Sequence, residues 1–271
     1  MKIYIINQNF QDKRRKHMQL LMQSLQIPRE TYKFVEPLPK SEGARNATAG
    51  QVSHYWTYWE ILKFVVRDLS AGHENVLILE DDLLPIYTQE VTRVELQRLL
   101  SSNAAHQFDA LYLETCHNNC KLMTDEFNTH RGQCAGFVAY SNKDSILRLI
   151  QELQVDREEN GVRAYDEVVQ DIVKSGRWRP IMSVPLFYQG LEIFGSYIEG
   201  SSVRSRVVCS SWPSSAKFEN LKPFMLDVAD GYVFPKKRRC FSNYGTLVVC
   251  LCVVIVLVVM MYKFQNRKVL V

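Results

Sequence analysis

Residues 76–82 read Val-Leu-Ile-Leu-Glu-Asp-Asp, and these seven residues are the clearest indication of the fold class. Four apolar residues in a row are typical of a buried β-strand, and three carboxylates follow them without a break. Open α/β sheets bind ligands at the carboxyl ends of their strands, so the three acids are predicted to lie at a binding edge. Strand alternation directs Glu80 and Asp82 to one side and Asp81 to the other.

Two carboxylates on one side of a strand, about 7 Å apart, repel each other unless a cation lies between them. A hard divalent ion that also binds a diphosphate is a natural occupant of such a position. The alternative is a solvated turn with ordinary acidic residues. The motif alone leaves both interpretations open.

Strands and helices alternate on either side of this stretch. Apolar runs predict strands at residues 2–7, 75–80, 109–114, 136–140 and 181–184. Helical spacing predicts helices from a cap at Asp12 to a stop before Pro28, and at residues 51–69, 88–100, 142–155 and 165–175. Residues 29–50 are expected to form a loop, and residues 115–135 a hairpin or loop. The alternation predicts an α/β fold with a mostly parallel sheet flanked by helices.

An uncharged, strongly apolar stretch of 23 residues runs from Cys240 to Tyr262. As a helix it is about 35 Å long, which is enough to cross a bilayer core of about 30 Å. The sequence therefore predicts a transmembrane helix at residues 240–262. It is preceded by a basic juxtamembrane tether within residues 201–239 and followed by a short tail, residues 263–271.

The charge distribution bears on orientation and partners. Seven of the 33 basic residues and none of the 29 acidic ones follow residue 235, so residues 1–235 hold 26 basic against 29 acidic, a net charge of −3. This distribution argues against a nucleic-acid partner, despite a total of +4. No hydrophobic region long enough for a signal peptide follows Met1. A single-pass, tail-anchored protein with its body on the cytosolic face is expected, and Lys236–Arg239 agree with the positive-inside tendency.

Composition excludes two other classes. Apolar residues make up 46% of the chain and aromatic residues 11%, which is too much for a disordered protein. Seven cysteines are too few for a disulfide-stapled scaffold of this length. Cys116, Cys120, His130 and Cys134 form a C-x3-C-x9-H-x3-C pattern, near known zinc patterns but not on them, and free thiols and histidines in a loop are the favoured interpretation.

Five sequence blocks, taken in order, resemble glycosyltransferase family 25. That group contains lipopolysaccharide-biosynthesis glycosyltransferases and the collagen galactosyltransferases. The blocks are Tyr4–Asn7 with the charged segment after it, Gly50–His54 leading to Trp56 and Trp59, Leu77–Asp82, Tyr165–Glu167, and Val184–Gln189 with Ser196 beyond. The resemblance covers roughly residues 1–200 and implies a GT-A-type, Rossmann-like domain over that range.

The sequence also departs from the family pattern. The Gly50–His54 block lacks residues that the family places between its two halves, so either His54 or Tyr58 occupies the family's histidine position. Gln51 stands where the family has Glu. The downstream acidic pair reads Asp166-Glu167 instead of Asp-Asp.

The resemblance implies a nucleotide-sugar donor, in the first place a UDP-sugar, bound with Mn²⁺ or Mg²⁺. Glu80 and Asp82 are the predicted metal ligands, and Asp81 is a possible contact to the ribose or sugar. The other predicted donor-binding residues are Asn7 near the base or ribose, Arg14 or Arg15 at the diphosphate, and Gln189. For the two arginines, within Lys13–Lys16, the alternative is an exposed helix face.

The implied reaction transfers a hexose, with galactose as the family's leaning, to a hydroxyl of a glycan, lipid or protein with inversion. Asp166 is the predicted general base and Glu167 the second choice. The alternative is that Asp166 only caps its helix. A different class is also open: an inactive, tail-anchored interaction protein that keeps the GT-A fold. The aromatic face with Trp56, Trp59 and Phe64 is expected to be core rather than a sugar platform.

Overall fold

The computed structural model describes residues 1–39, 47–85, 87–102, 107–115, 127–129 and 136–189. The cysteine and histidine pattern at residues 116–134, Ser196 and the apolar stretch at residues 240–262 lie outside this part of the chain. Among the helices that are described, none combines the length and the apolarity that crossing a membrane requires.

The described residues form one sheet with helices on both sides. The strands are β1 (Lys2–Ile6), β2 (Tyr32–Val35), β3 (Val76–Glu80), β4 (Leu83–Pro85), β5 (Leu111–Thr115), β6 (Phe127–Thr129), β7 (Phe137–Tyr140) and β8 (Ile181–Gln189). The α-helices are α1 (Asp12–Ser24), α2 (Ala49–Ser70), α3 (Gln89–Leu100), α4 (Lys143–Asn160) and α5 (Tyr165–Lys174). A single 3₁₀ turn at Arg29–Thr31 precedes β2.

The strand order is β2-β1-β3-β7-β5-β8-β4, with β6 paired to β8 outside this path. Strands β1, β2, β3, β5 and β8 run in one direction, while β4, β6 and β7 run antiparallel to their neighbours. The predicted α/β fold with a mainly parallel sheet is thus confirmed in outline. The antiparallel β7, inserted between β3 and β5, makes the sheet mixed.

Two hydrophobic layers cover the faces of the sheet, and strand alternation sorts the residues between them. Ile3, Ile5, Leu77 and Leu79 pack with residues of α1 and α3. Tyr4, Ile6, Val76 and Ile78 pack instead with residues of α2, α4 and α5. Burial on both faces explains why β1 and β3 are continuous apolar runs.

The structure corrects the predicted loop at residues 29–50, because Tyr32–Val35 form β2 there. This strand lies at the sheet edge and pairs with β1 in parallel, from Ile3 with Tyr32 to Ile6 with Val35. Tyr32 is buried and Phe34 and Val35 are partly buried, but the exposed Lys33 interrupts them, so β2 lacks the apolar run that marks the central strands. Strand β8 is also longer than the predicted 181–184, and β4 and β6 were not predicted.

Two helix starts differ from prediction. Gln11, not Asp12, is the residue before α1, and no side chain caps that helix by a hydrogen bond; Asp12 lies in its first turn. Helix α2 begins two residues earlier than predicted, after Thr48, whose hydroxyl accepts from the backbone N–H of Gln51 while the Gln51 side chain accepts from the N–H of Thr48. This capping box gives Gln51 a local structural role.

Candidate functional site

The carboxyl ends of β1 and β3 lie side by side. Ile6 is in register with Glu80 in a parallel pairing, so the residues that follow, Asn7 and Asp81, leave the sheet next to each other. Asn7 is anchored by its backbone N–H, which donates to the carbonyl of Val35 in β2 at 3.0 Å. Three parallel strands therefore end together at this edge, which is the predicted location of the site.

Asn7, Arg14 and Asp81 form a buried polar cluster there. Arg14 Nη1 lies 2.6 Å from Asp81 Oδ1, and Asn7 Nδ2 donates to Asp81 Oδ2 at 2.8 Å. Arg14 is only 7% exposed, so the exposed-face interpretation of this arginine is wrong. Burial raises the pKa of Asp81, although Arg14 and Asn7 both favour its charged form.

Asn7 retains one unused group within this cluster. Its side chain is 1% exposed, and its Oδ1 atom has no hydrogen-bond partner in the described structure. A buried amide oxygen without a partner costs free energy unless a ligand or water supplies a donor. The atom therefore suits a ligand that carries a hydroxyl or N–H group.

Glu80 points to the other face of the sheet, as strand alternation predicts. Its Oε1 atom lies 3.0 Å from His54 Nε2 and accepts from the Tyr58 hydroxyl at 3.3 Å. Burial opposes charge on both partners of the His54–Glu80 pair. Even so, the hydrogen bond and attraction to Glu80 raise the pKa of His54, with a further contribution from Asp166, and His54 holds the pKa of Glu80 below its ordinary value.

Aromatic rings surround this pair. Tyr58 and Tyr165 stack with their centroids 4.4 Å apart, and the His54 ring meets Tyr58 edge-on at 4.8 Å. Burial raises the pKa of Tyr58 and of Tyr165 well above the ordinary value, so both hydroxyls keep their protons. Helix α2, which carries His54 and Tyr58, and helix α5, which starts at Tyr165, together wall one side of the site.

Asp166 belongs to this side of the site, and Glu167 does not. Burial has the largest effect on the pKa values of His54, Tyr112 and Tyr165, and the nearby Asp166 raises all three. Ala164 is the residue before α5, and no side chain caps that helix, so the capping interpretation of Asp166 is wrong. Glu167, one residue later, is exposed.

The remaining predicted residues are less closely tied to the cluster. Asp82 is 3% exposed and lies in the short turn between β3 and β4. The backbone of Gln189 pairs with Leu83 of β4, directly after this turn. Arg15 turns away from Asp81: its guanidinium lies 4.5 Å from the Phe34 ring centroid and donates to Asn9.

Sequence reasoning missed one buried acid at the same edge, Glu114 at the end of β5. It is 1% exposed, and its Oε1 atom accepts the backbone N–H of Gly136 at 2.5 Å. A polar residue near the end of an apolar strand is the available signal, but residues 109–114 are predicted only as a strand.

Within the described residues, no three His, Cys, Asp or Glu side chains converge closely enough to hold a metal ion by themselves. A divalent ion that is bound together with a nucleotide usually takes one or two protein carboxylates and completes its shell with phosphate oxygens and water. Glu80 and Asp82 fit that need in number and chemistry. Arg14 compensates Asp81, and His54 compensates Glu80.

The aromatic face of α2 serves packing. Trp59 is buried, and Trp56 and Phe64 pack against the same hydrophobic layer. The Arg157 guanidinium from α4 lies 5.3 Å from the ring centroids of both Trp56 and Trp59. The structure thus agrees with the core interpretation of these rings.

Comparison with known proteins gives little beyond this geometry. No family model matches the chain, and no curated protein matches it. One similar solved structure is a glycosyltransferase involved in the glycosylation of the major capsid of PBCV-1. It is 14% identical, with a TM-score of 0.35, and the match covers 74% of this chain and 95% of that one. So remote a likeness carries no argument about function, which is argued below from the residues of this chain.

Proposed function

We propose that this chain is a glycosyltransferase that moves a hexose from a nucleotide-sugar to a hydroxyl group of a glycan, lipid or protein. A UDP-sugar is the proposed donor class, with galactose as the first sugar to test. The observation that carries the proposal is the meeting of Asn7, Glu80, Asp81 and Asp82 at the carboxyl ends of neighbouring parallel strands, with Asp166 on the same side as Glu80. The resemblance to glycosyltransferase family 25 supports it on the same residues.

Donor binding is assigned to the two faces of this edge. On one face, the unpartnered Oδ1 of Asn7 accepts from a hydroxyl of the ribose or an N–H of the base. Asp81 fixes Asn7 in that orientation through the bond to Nδ2, and Arg14 fixes Asp81. On the other face, Glu80 and Asp82 are the proposed ligands of Mn²⁺ or Mg²⁺. Such an ion would neutralise charge on the departing nucleoside diphosphate.

Asp166 is the proposed general base. It takes the proton of the acceptor hydroxyl while that oxygen attacks the anomeric carbon of the donor sugar. The bond from this carbon to the diphosphate oxygen breaks, and the nucleoside diphosphate leaves with the electron pair. Attack opposite to the leaving group inverts the anomeric centre. Arg14 and Gln189 stay predicted donor contacts, and Arg15 a weaker one because it contacts Phe34 and Asn9.

The test is a donor screen on the purified full-length chain in detergent. The protein is incubated with Mn²⁺ and a panel of nucleotide-hexoses, and release of nucleoside diphosphate and thermal stabilisation are measured. Stabilisation and metal-dependent hydrolysis with at least one donor are expected. A chain that remains folded but responds to no donor would overturn the proposal.

A second candidate function is favoured by a specific observation. Side chains of the protein itself already engage Glu80 and Asp81: Glu80 by His54 and Tyr58, and Asp81 by Arg14 and Asn7. A domain whose acids serve only such internal bonds is an interaction module without catalysis. In that case no donor in the screen causes hydrolysis or thermal stabilisation. A Glu80→Gln variant is then less stable than the wild type, and neither protein responds to a donor.

We further propose that residues 240–262 anchor the protein in a membrane, with the body on the cytosolic face. Expression of the full chain and of residues 1–235 in cells, followed by alkaline carbonate extraction, tests the anchor. The full chain should remain in the membrane fraction and the truncated chain should not. Protection of the body from added protease in sealed membranes would overturn the cytosolic orientation.

A further inference from the structure

We propose that Glu114 is a positioning residue that sets the place of Glu80 through the backbone of Gly136. This inference rests on the proposed function, because Glu80 is there a metal ligand. Nothing in the sequence resemblance assigns Glu114 a role.

The connection consists of two hydrogen bonds on either side of one residue. Glu114 Oε1 accepts the N–H of Gly136 at 2.5 Å, and the carbonyl of Gly136 accepts the N–H of Glu80 at 2.8 Å. Glu114 belongs to β5, Gly136 precedes β7, and Glu80 ends β3. The Glu114 side chain is therefore linked to the backbone of Glu80 through Gly136, at the start of β7, the strand that lies between β5 and β3.

The side chain is needed because β5 leaves β7 at this point. The two strands pair through Leu111 with Ala139 and Tyr112 with Val138. On its other side β5 pairs with β8 both before and after an irregularity, with Tyr112 in register with Met182 and Glu114 in register with Phe187. The Glu114 carboxylate takes the N–H of Gly136 at the place where the strand pairing ends. Without it, a buried N–H would lack an acceptor.

Gly136 is the residue that makes this contact possible. A Cβ atom placed on it would lie 2.7 Å from Glu114 Oε1 and still closer to Oε2, well inside contact distance. The carboxylate thus occupies the space that any larger residue at position 136 would fill. The length of the Glu114 side chain therefore sets the distance between β5 and Gly136 at the start of β7. This distance in turn sets the position of the Gly136 carbonyl that accepts the N–H of Glu80.

The negative charge of Glu114 offers a different mode of action. Burial is the main cause of the raised pKa of Tyr58, whose hydroxyl donates to Glu80, and Glu114 adds to this shift. The two modes of action, positioning and charge, predict opposite effects for two substitutions of Glu114. Glu114→Gln keeps the length and a carbonyl acceptor but removes the charge, while Glu114→Asp keeps the charge but shortens the side chain by one methylene.

The experiment compares Glu114→Gln, Glu114→Asp and Glu114→Ala in the full-length chain in detergent. Selective ¹⁵N labelling of glycine and glutamate gives amide hydrogen exchange at Gly136 and Glu80, which needs no activity. The Mn²⁺ dissociation constant is measured on the same samples with nucleoside diphosphate present. Asp109→Asn is the matched control, because Asp109 is also buried, lies just before β5 at its other end, and accepts the backbone N–H of Arg179.

Positioning predicts that Glu114→Gln stays within about twofold of the wild type in Mn²⁺ affinity. Glu114→Ala and Glu114→Asp should weaken it about tenfold or more and speed exchange at both amides, in line with losses of outer-shell partners. Asp109→Asn should lower stability and leave Mn²⁺ affinity unchanged. Retained affinity in Glu114→Asp with loss in Glu114→Gln would overturn the proposal in favour of charge.

Failure of the proposed function is distinguishable from failure of this inference. If the wild type binds no Mn²⁺, the proposed metal role of Glu80 fails. Amide exchange alone then tests whether Glu114 positions the backbone of Glu80. Exchange at Glu80 that is unchanged in Glu114→Ala overturns the inference in either case. Faster exchange at Glu80 in Glu114→Ala but not in Glu114→Gln supports it in either case.

Discussion

Arg14 and Asp81 form a buried ion pair whose Nη1 and Oδ1 atoms lie 2.6 Å apart. Asn7 donates to the other carboxylate oxygen, so Asp81 holds the end of β1 and the first turn of α1 against the end of β3. A charged group buried in this way is tolerated only because its partner compensates it. The pair therefore shapes the edge of the sheet on which the proposed donor site depends.

Removal of one partner should be costly. Arg14→Met leaves the Asp81 carboxylate buried without its cation, and we expect the free energy of unfolding to fall by about 3 kcal/mol or more. Urea unfolding followed by tryptophan fluorescence measures the change. Arg15→Met is the control: its guanidinium contacts the Phe34 ring in a partly exposed position, and a loss below about 1 kcal/mol is expected.

A double variant shows whether the loss comes from the uncompensated charge. Arg14→Met combined with Asp81→Asn removes both charges, and it should be more stable than Arg14→Met alone. Equal stability of these two proteins would contradict the argument and would indicate that Arg14 contributes mainly by packing.

The part of this site that was predictable from the sequence is the part that depends on local pattern. The apolar run before Glu80 predicts a buried strand, and its alternation correctly places Glu80 and Asp81 on opposite faces. The end of the first strand at Asn7 follows from the same reasoning. Whether a segment is a strand, and to which face of the sheet each of its side chains points, is encoded within a few neighbouring residues.

The contacts between distant segments were not predictable in this way. The partner of Arg14 is 67 positions away in the chain. Glu114 meets Gly136 where the pairing of β5 with β7 has ended, next to an irregularity in the pairing of β5 with β8. Strand β2 escaped prediction because it is a short edge strand whose apolar residues are interrupted by the exposed Lys33. Such features depend on register and on strand order, which no local pattern contains.

Asp166 and Glu167 form a matched pair for testing the base. Asp166→Asn removes the proton acceptor, and we expect kcat to fall by about 10²- to 10⁴-fold without loss of stability. Glu167→Gln changes the neighbouring exposed carboxylate in the same helix turn and should leave kcat within a few-fold of the wild type. Steady-state kinetics with the best donor and a melting curve for each variant provide the measurement. Equal loss in both variants would refute the assignment.

Glu80 and Asp82 carry the metal prediction. The double variant Glu80→Ala and Asp82→Ala should abolish stabilisation by Mn²⁺ with nucleoside diphosphate, because two carboxylates are the expected protein share of such a shell. Binding is measured by calorimetry on chelator-washed protein. Asp109→Asn again serves as the control, since Asp109 contacts Ser145 and Arg148 away from this edge. Unchanged Mn²⁺ binding in the folded double variant would exclude these ligands.

Tyr4 provides a test of pH dependence outside the site. Its hydroxyl donates to Asp68 Oδ2 at 2.5 Å, and burial together with this carboxylate raises the pKa of Tyr4 to about 12. A folded-state pKa above the unfolded value of 10.0 favours the folded state fully below pH 10. The contribution is lost as the pH rises from 10 towards 12, because the unfolded chain releases its proton first.

Tyr4→Phe should therefore lower the free energy of unfolding by about 1–2 kcal/mol at neutral pH, where Asp68 loses a hydrogen-bond donor. The difference in the free energy of unfolding between Tyr4→Phe and the wild type should narrow between pH 10 and pH 12, since only the wild type has this hydroxyl to ionise. Urea unfolding at a series of pH values measures both effects. Asp68→Asn should lower the pKa of Tyr4 and shift the narrowing to lower pH. A stability difference that stays constant up to pH 12 would show that the Tyr4 hydroxyl is not linked to folding.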